Sequence, residues 1–223
     1  MKFYKLDFIY EKKCIEGSEG NDWKGIVCPV DPGHRRSGRR ITTLHVDIIK
    51  SKIVDFSKTL VSDYVITDHA LNVLKAADLT GFTVKPLVIE SYPKRLDPQS
   101  VPKLWELCVT GWGGMARVES GIRLLKECQP CGYRRYSGTD HLEQILDEAQ
   151  WDGSDFFFVW PLPKYIFVTD RAAKVIRDNG LTGAELLSPC DPELRSDGYS
   201  PGGLRSYFPE ARAHELGDPL GIY

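Results

Sequence analysis

Residues 64–87 read YVITDHALNVLKAADLTGFTVKPL, and residues 166–189 read IFVTDRAAKVIRDNGLTGAELLSP. The two copies keep a constant offset, so that Thr67 matches Thr169 and Gly81 matches Gly183. In each copy a Thr-Asp pair is typical of a helix N-terminus, because its side-chain oxygens accept hydrogen bonds from free amides. Apolar residues then follow at helical spacing, and Leu-Thr-Gly turns the chain into a second strand. The sequence therefore predicts an internal duplication of a strand–helix–strand unit.

The segments around the two copies predict more strands and one domain. Alternating or β-branched residues favour strands over residues 2–10, 41–49 and 103–110, and an apolar strand over residues 156–160. Gly111-Trp-Gly-Gly114 predicts a turn. Residues 190–223 are rich in proline and glycine and predict an irregular tail with one short helix over 209–216. We expect a single α/β (α+β) domain over residues 1–223, with a mixed sheet.

Composition places the chain among ordinary globular proteins. Its 223 residues are 42% hydrophobic and 27% charged, with a net charge of −2, which gives no overall reason to expect nucleic acid or an anionic membrane as partner. The charged N-terminus does not resemble a signal peptide, and no apolar run is long enough to span a bilayer. The six cysteines show no disulfide-framework spacing. These features predict a reduced, cytoplasmic protein.

One close cysteine pair, Cys128-Gln-Pro-Cys131-Gly132, lies in a segment that predicts a hairpin over residues 120–137. Two cysteines on such a turn converge on one point, and the glycine permits the positive φ that aims amides at the sulfurs. This is half of a tetrahedral zinc site. A thioredoxin-like redox pair is an alternative, but it places its first cysteine at a helix N-terminus. Two ordinary reduced cysteines are the other alternative.

The best distant partners for this pair lie in a second proline-flanked turn, Cys28-Pro-Val-Asp31-Pro-Gly-His34. Cys28 with either His34 or Asp31 completes a shell of three cysteines and one further ligand. A zinc ion enclosed by four protein ligands has no open position for water. We therefore predict a structural zinc site formed by Cys28, His34, Cys128 and Cys131.

The sequence offers no recognisable catalytic motif. No histidine stands beside a nucleophile in a Gly-x-Ser-x-Gly pattern, and there is neither a His-Glu-x-x-His motif nor a phosphate-binding loop. The sequence therefore predicts a protein that is not an enzyme.

Two charged stretches are candidates for contacts with other molecules. A basic group, with Tyr133 and Tyr136 beside it, suggests a zinc-ribbon-like nucleic-acid interface as the alternative function; it comprises Arg35, Arg36, Arg39, Arg40, Arg134 and Arg135. The acidic stretch 140–155 has no Lys or Arg and suggests a surface for a basic protein partner. Its acidic residues are Asp140, Glu143, Asp147, Glu148, Asp152 and Asp155.

The Cys-x-x-Cys-Gly hairpin, the acidic segment, the FFFVW strand and the following Leu-Thr-Gly unit resemble the C-terminal half of double-CxxCG motif proteins. The resemblance covers about residues 100–190. Those proteins are bacterial and abundant in myxobacteria, and some are immunity proteins paired with toxins. The first CxxCG of the family is degenerate here, because Asp31 stands in the place of the second cysteine and a proline is inserted before Gly33. The resemblance implies a cytoplasmic, non-catalytic immunity protein that binds and neutralises a cognate toxin.

Overall fold

The structure is a computed structural model that describes residues 1–34, 36–191, 194 and 196–223, and only the backbone of residues 36 and 37. The strands are β1 (Phe3–Phe8), β2 (Ile15–Gly17), β3 (Trp23–Ile26), β4 (Arg36–Arg40), β5 (Leu44–Ile48), β6 (Phe56–Lys58), β7 (Tyr64–Thr67), β8 (Phe82–Ser91), β9 (Leu104–Val109), β10 (Gly111–Met115), β11 (Leu124–Cys128), β12 (Tyr133–Tyr136), β13 (Phe156–Trp160), β14 (Ile166–Thr169) and β15 (Ala184–Leu187). The helices are α1 (Asp68–Ala76), α2 (Asp170–Asp178) and α3 (Glu210–Gly217).

Two mixed sheets and two hairpins make up the β-structure of the described residues. The six-stranded sheet has the order β2-β5-β8-β9-β7-β6, and the five-stranded sheet has the order β10-β13-β14-β1-β15. Each contains one parallel pair, β5 with β8 and β10 with β13, among antiparallel neighbours. The hairpins are β3-β4 and β11-β12. The predicted α+β domain with mixed sheets is confirmed.

The two mixed sheets and the helices α1 and α2 contribute to one hydrophobic cluster. Its members include Leu71 and Leu74 of α1, Ala172 and Ile176 of α2, and one phenylalanine from each sheet, Phe56 and Phe156; all are at most 3% exposed. Burying a side chain of this size contributes about 1.5–3 kcal/mol. The apolar stripes read from the sequence therefore face a core that the two copies share.

The two copies predicted from the sequence have the same local structure, β7-α1-β8 and β14-α2-β15. The Thr67 hydroxyl accepts a hydrogen bond from the amide of Ala70, and the Thr169 hydroxyl accepts one from the amide of Ala172, both at 3.2 Å. These are the N-caps expected of a Thr-Asp helix start. Gly81 and Gly183 both have positive φ, +83° and +84°, which is the conformation that the Leu-Thr-Gly turn requires.

Each Leu-Thr-Gly turn is bound by an aspartate that precedes the other copy. Asp155 Oδ2 accepts from the amide of Thr80 at 3.0 Å, and its Oδ1 accepts from the Thr169 hydroxyl at 2.8 Å. In the same way, Asp55 Oδ2 accepts from the amide of Thr182 at 2.9 Å, and its Oδ1 accepts from the Thr67 hydroxyl at 2.7 Å. The two aspartates thus join the helix start of one copy to the turn of the other.

Strand β1 occupies in the second copy the place that β9 occupies in the first. β9 lies between β7 and β8, with Leu104 opposite Thr67; β1 lies between β14 and β15, with Phe3 opposite Thr169. The second residue of each strand makes an equivalent contact. Trp105 Nε1 donates to Asp68 Oδ1 at 2.9 Å, and Tyr4 Oη donates to Asp170 Oδ1 at 3.2 Å. The strand that begins the chain therefore completes the sheet of the later copy, whereas the later strand β9 completes the sheet of the earlier one.

The prediction of a turn at Gly111–Gly114 is wrong, because these residues belong to β10. A Cβ on Gly111 would lie 2.1 Å from the Phe156 carbonyl oxygen, and one on Gly113 would lie 2.8 Å from the Phe157 ring. The glycines therefore allow β10 to approach its parallel neighbour β13 closely.

The tail after residue 190 contains the helix α3 close to the predicted range 209–216, and it also supplies core residues. Leu204, Phe208, Ala213 and Ile222 are at most 2% exposed, and they pack with Trp112, Phe158 and Trp160 of the five-stranded sheet. The Leu204 amide donates to the Ile222 carbonyl at 2.8 Å. This part of the tail covers one face of that sheet.

Candidate metal centre

The hairpin β3-β4 positions the first two candidate ligands. Cys28 follows the end of β3, and His34 ends the 3-10 turn Pro32–His34 that leads towards β4. Both side chains are buried, with residue exposures of 4% and 5%. The amides of Val30 and Asp31 donate to Cys28 Sγ at 3.4 and 3.3 Å, as expected of a cysteine that carries negative charge on a tight turn.

The hairpin β11-β12 positions the other two candidate ligands, Cys128 and Cys131. Cys128 is the last residue of β11 and lies opposite Tyr133, the first residue of β12. Cys131 lies in the connecting turn, and Gly132 has a φ of +64°. The Gly132 amide donates to the Cys128 carbonyl at 2.9 Å. The glycine thus has the predicted positive φ, while its amide closes the turn on the backbone.

The tips of the two hairpins meet, and their four ligand atoms lie within 4.8 Å of one another. The sulfurs of Cys28 and Cys128 are 3.7 Å apart, and Cys131 Sγ lies 3.9 Å from His34 Nδ1. Around a tetrahedral zinc ion, neighbouring sulfurs lie about 3.8 Å apart and a sulfur–nitrogen pair about 3.6 Å. The four residues are therefore close enough to hold one metal ion.

The donor set itself favours a soft or borderline metal. Three thiols and one imidazole match the Cys₃His shells of structural zinc sites, whereas Mg²⁺ and Ca²⁺ take oxygen ligands. The three cysteines and the histidine all belong to this chain, so the chain alone can fill the shell of a four-coordinate ion here. Such a shell supplies cross-linking and no site for a reacting water.

The two cysteines at the closest approach differ in their acidity. Burial opposes ionisation of Cys28, but the amides of Val30 and Asp31 outweigh it and lower the pKa of this thiol. Burial, together with the neighbouring thiols of Cys131 and Cys28, raises the pKa of Cys128 to about 11. A metal binds thiolates, so loading this site must release protons to solvent.

Between the two alternatives for the fourth ligand, the structure places His34 in the group and Asp31 behind it. Asp31 Oδ2 lies 3.0 Å from His34 Nε2, on the side of the ring away from Cys131. The Tyr133 ring stacks on the His34 ring, with 4.1 Å between centroids and 4° between planes. Sequence reasoning did not identify Tyr133 as a support of the site; its position directly after Gly132 was the only signal.

The acidic stretch does not form one continuous surface. Asp155 is 4% exposed and is held by Thr80, Thr169 and Arg171, so its assignment to a partner-binding surface is corrected: its carboxylate is used inside the fold. Asp152 accepts from the Trp112 amide and pairs with Arg212.

The remaining acidic residues lie nearer the surface. Glu148 pairs with the N-terminal amine, and Glu143 lies 3.4 Å from His141. Asp147 accepts from the Ala149 amide and from Gln150, and Asp140 is exposed. These four are the members of the predicted surface that a partner can reach.

The basic group is likewise divided. Arg40 pairs with Glu106 and Asp63, with a side chain 11% exposed, and Arg134 pairs with Glu127 at 2.5 Å. Arg39 and Arg135 are exposed. Arg35 lies outside the described residues, as does the side chain of Arg36. Two of the six arginines proposed for nucleic-acid contact are thus committed to ion pairs within the chain.

A cavity of about 460 Å³ lies beside the Arg40 ion pairs. Its lining includes Asp63, Glu106, Lys164 and Phe158, and no histidine is among its described lining residues. His69, at the start of α1, and His141, in the acidic stretch, are therefore not part of it. That the chain is not an enzyme stays a prediction from the sequence.

Comparison with known proteins adds no family assignment: no protein-family model matches the chain, and no curated protein matches it. The resemblance to double-CxxCG motif proteins therefore stays a prediction. Among the described residues, no helix combines the length and the apolar character needed to cross a membrane.

Proposed function

We propose that this chain is a non-catalytic, cytoplasmic bacterial immunity protein that binds and neutralises a cognate toxin, and that a structural zinc ion fastens its two hairpins together. The observation that carries the proposal is the meeting of Cys28, His34, Cys128 and Cys131 within 4.8 Å. Four protein ligands leave a tetrahedral ion no open position, which favours a scaffold over a reaction centre. The resemblance to double-CxxCG motif proteins supplies the toxin as partner.

The toxin-binding surface that we propose lies on the 3-10 turns Val118–Ser120 and Leu142–Gln144, which pack against each other. Val118, in the first turn, is 89% exposed. Glu143 lies within the second turn, and Asp147 and Glu148 follow it in sequence. An exposed apolar side chain with charged neighbours resembles the composition of protein interfaces, which have an apolar centre and a polar rim. Negative charge on this rim would attract a basic toxin surface.

The function is tested by co-expressing the chain with the toxin encoded beside it in its source genome. We expect growth to be restored and the two purified proteins to form a complex. The double variant Glu143→Lys with Asp147→Lys should weaken that complex by at least tenfold, because it reverses two charges of the rim. Glu185→Lys, an exposed reversal on β15, is the matched control and should leave the affinity unchanged.

Absence of a complex and of growth rescue with wild-type protein would overturn the immunity function. Equal weakening by the control and by the double variant would instead place the interface elsewhere.

A further inference from the structure

We infer that Asp31 is the positioning residue of the metal site: it holds the His34 ring so that Nδ1 faces the metal ion. The inference rests on the metal binding that we propose above. It assigns a role outside the ligand shell to a residue that the sequence presents as a rival ligand.

The two nitrogens of His34 face different partners. Nδ1 lies 3.9 Å from Cys131 Sγ, inside the ligand group. Nε2 lies 3.0 Å from Asp31 Oδ2, a charge contact that is not aligned as a hydrogen bond. A histidine that ligates a metal through Nδ1 keeps its proton on Nε2, and a carboxylate beside Nε2 stabilises that tautomer.

Asp31 is itself held in place from both sides. The Gly33 amide donates to Asp31 Oδ1 at 2.9 Å, and Lys126 Nζ of the opposite hairpin lies 3.5 Å from Oδ2. The Tyr133 ring, also from the opposite hairpin, fixes the plane of His34 by stacking. Contacts from both hairpins therefore orient the imidazole.

The two turns of the site can be aligned by their first cysteines. Cys28 and Cys128 hold equivalent places in their turns, and the same alignment sets Asp31 against Cys131. The second half thus uses a cysteine ligand where the first half has a carboxylate. His34 supplies the missing ligand, and Asp31 contributes through it.

The test uses the full chain, stripped of metal and then titrated with Zn²⁺ against a chromophoric chelator. We expect Asp31→Ala to weaken zinc binding about 10–100-fold. Asp31→Asn keeps the size of the side chain but removes its negative charge, so it should weaken zinc binding about as much as Asp31→Ala. Glu185→Ala is the control: it removes an exposed carboxylate on β15, so it should change the affinity less than threefold.

Two spectroscopic measurements separate positioning from a general loss of structure. In the Co²⁺-loaded protein, the ligand-field bands should shift in Asp31→Ala while the wild-type and Glu185→Ala spectra coincide. In the zinc-loaded wild type, long-range ¹H–¹⁵N correlation should show the His34 proton on Nε2. A wild-type affinity and spectrum in Asp31→Ala, or a proton on Nδ1, would overturn the role of Asp31. A wild-type chain that binds neither ion would overturn the metal site as a whole.

Discussion

Removing the metal is expected to lower the melting temperature of the protein by about 10 °C. An ion held by His34 and Cys128 closes a loop of about 94 residues, and cross-linking a loop of that length removes roughly 4.7 kcal/mol of conformational entropy from the unfolded chain. The entropy of unfolding is about 2.1 cal/mol/K per residue, or about 0.47 kcal/mol/K for this chain. The ratio of these two quantities gives the expected shift.

The measurement is calorimetric melting of the zinc-loaded protein with and without a strong chelator, with metal content determined on the same samples. Cys28→Ser and Cys128→Ser should melt near the chelated protein, and chelator should lower their melting temperatures little further. Cys190→Ser removes an exposed cysteine outside the site and is the control, so it should melt with the wild type and respond to chelator as the wild type does.

A different outcome would refute the cross-link. If metal analysis shows that zinc has been removed and the melting temperature changes by less than about 2 °C, the two hairpins are held together by other contacts. If Cys190→Ser responds like Cys128→Ser, the effect belongs to thiol chemistry in general.

Three further predictions concern the fold. Asp155→Asn should lower the free energy of unfolding by about 2–4 kcal/mol in urea denaturation, because charge-assisted bonds from Thr80 and Thr169 are lost. The exposed Glu185→Gln should change it by less than 0.5 kcal/mol. Equal effects of the two substitutions would contradict the role of Asp155 inside the fold. Burial opposes ionisation of Asp55, but bonds from Thr182 and Thr67 outweigh it and lower the pKa of this carboxyl. The stabilising contribution of Asp55 is thus complete above its unfolded pKa of about 3.9 and is lost as the pH falls towards the folded pKa. In Asp55→Asn, the free energy of unfolding should therefore depend less on pH below about pH 4. An unchanged pH profile would contradict this assignment. Two fragments, residues 1–94 and 95–223, should co-purify when expressed together, because β1 of the first completes a sheet of the second and β9 of the second completes a sheet of the first. Two independently folded monomers would contradict this exchange of strands.

The strand–helix–strand units were predictable because their signals are local. A threonine cap, an apolar stripe and a Leu-Thr-Gly exit act within about 20 residues, and each appears in the structure where the sequence indicates it. The equivalence of β1 and β9 was not predictable, since it depends on register within a sheet. Tyr4 and Trp105 make equivalent contacts with different side chains, so the two strands show little sequence similarity.

The metal centre shows the same division between local and distant information. Turn chemistry indicated Cys28, Cys128 and Cys131 and narrowed the fourth ligand to His34 or Asp31. Spacing could not choose between these two, because the choice depends on the direction of each side chain once the hairpins meet. The burial of Asp155 was likewise hidden, since its partner Thr80 lies far away in sequence.

X-ray absorption at the zinc edge of the purified, zinc-loaded protein tests the metal centre most directly. We expect one zinc per chain, bound by three sulfurs at about 2.3 Å and one nitrogen at about 2.0–2.1 Å. In Cys28→Ser, one sulfur should be lost from that shell. A shell dominated by oxygen, or no zinc retained by the wild-type chain, would contradict the assignment of Cys28, His34, Cys128 and Cys131 as a metal site.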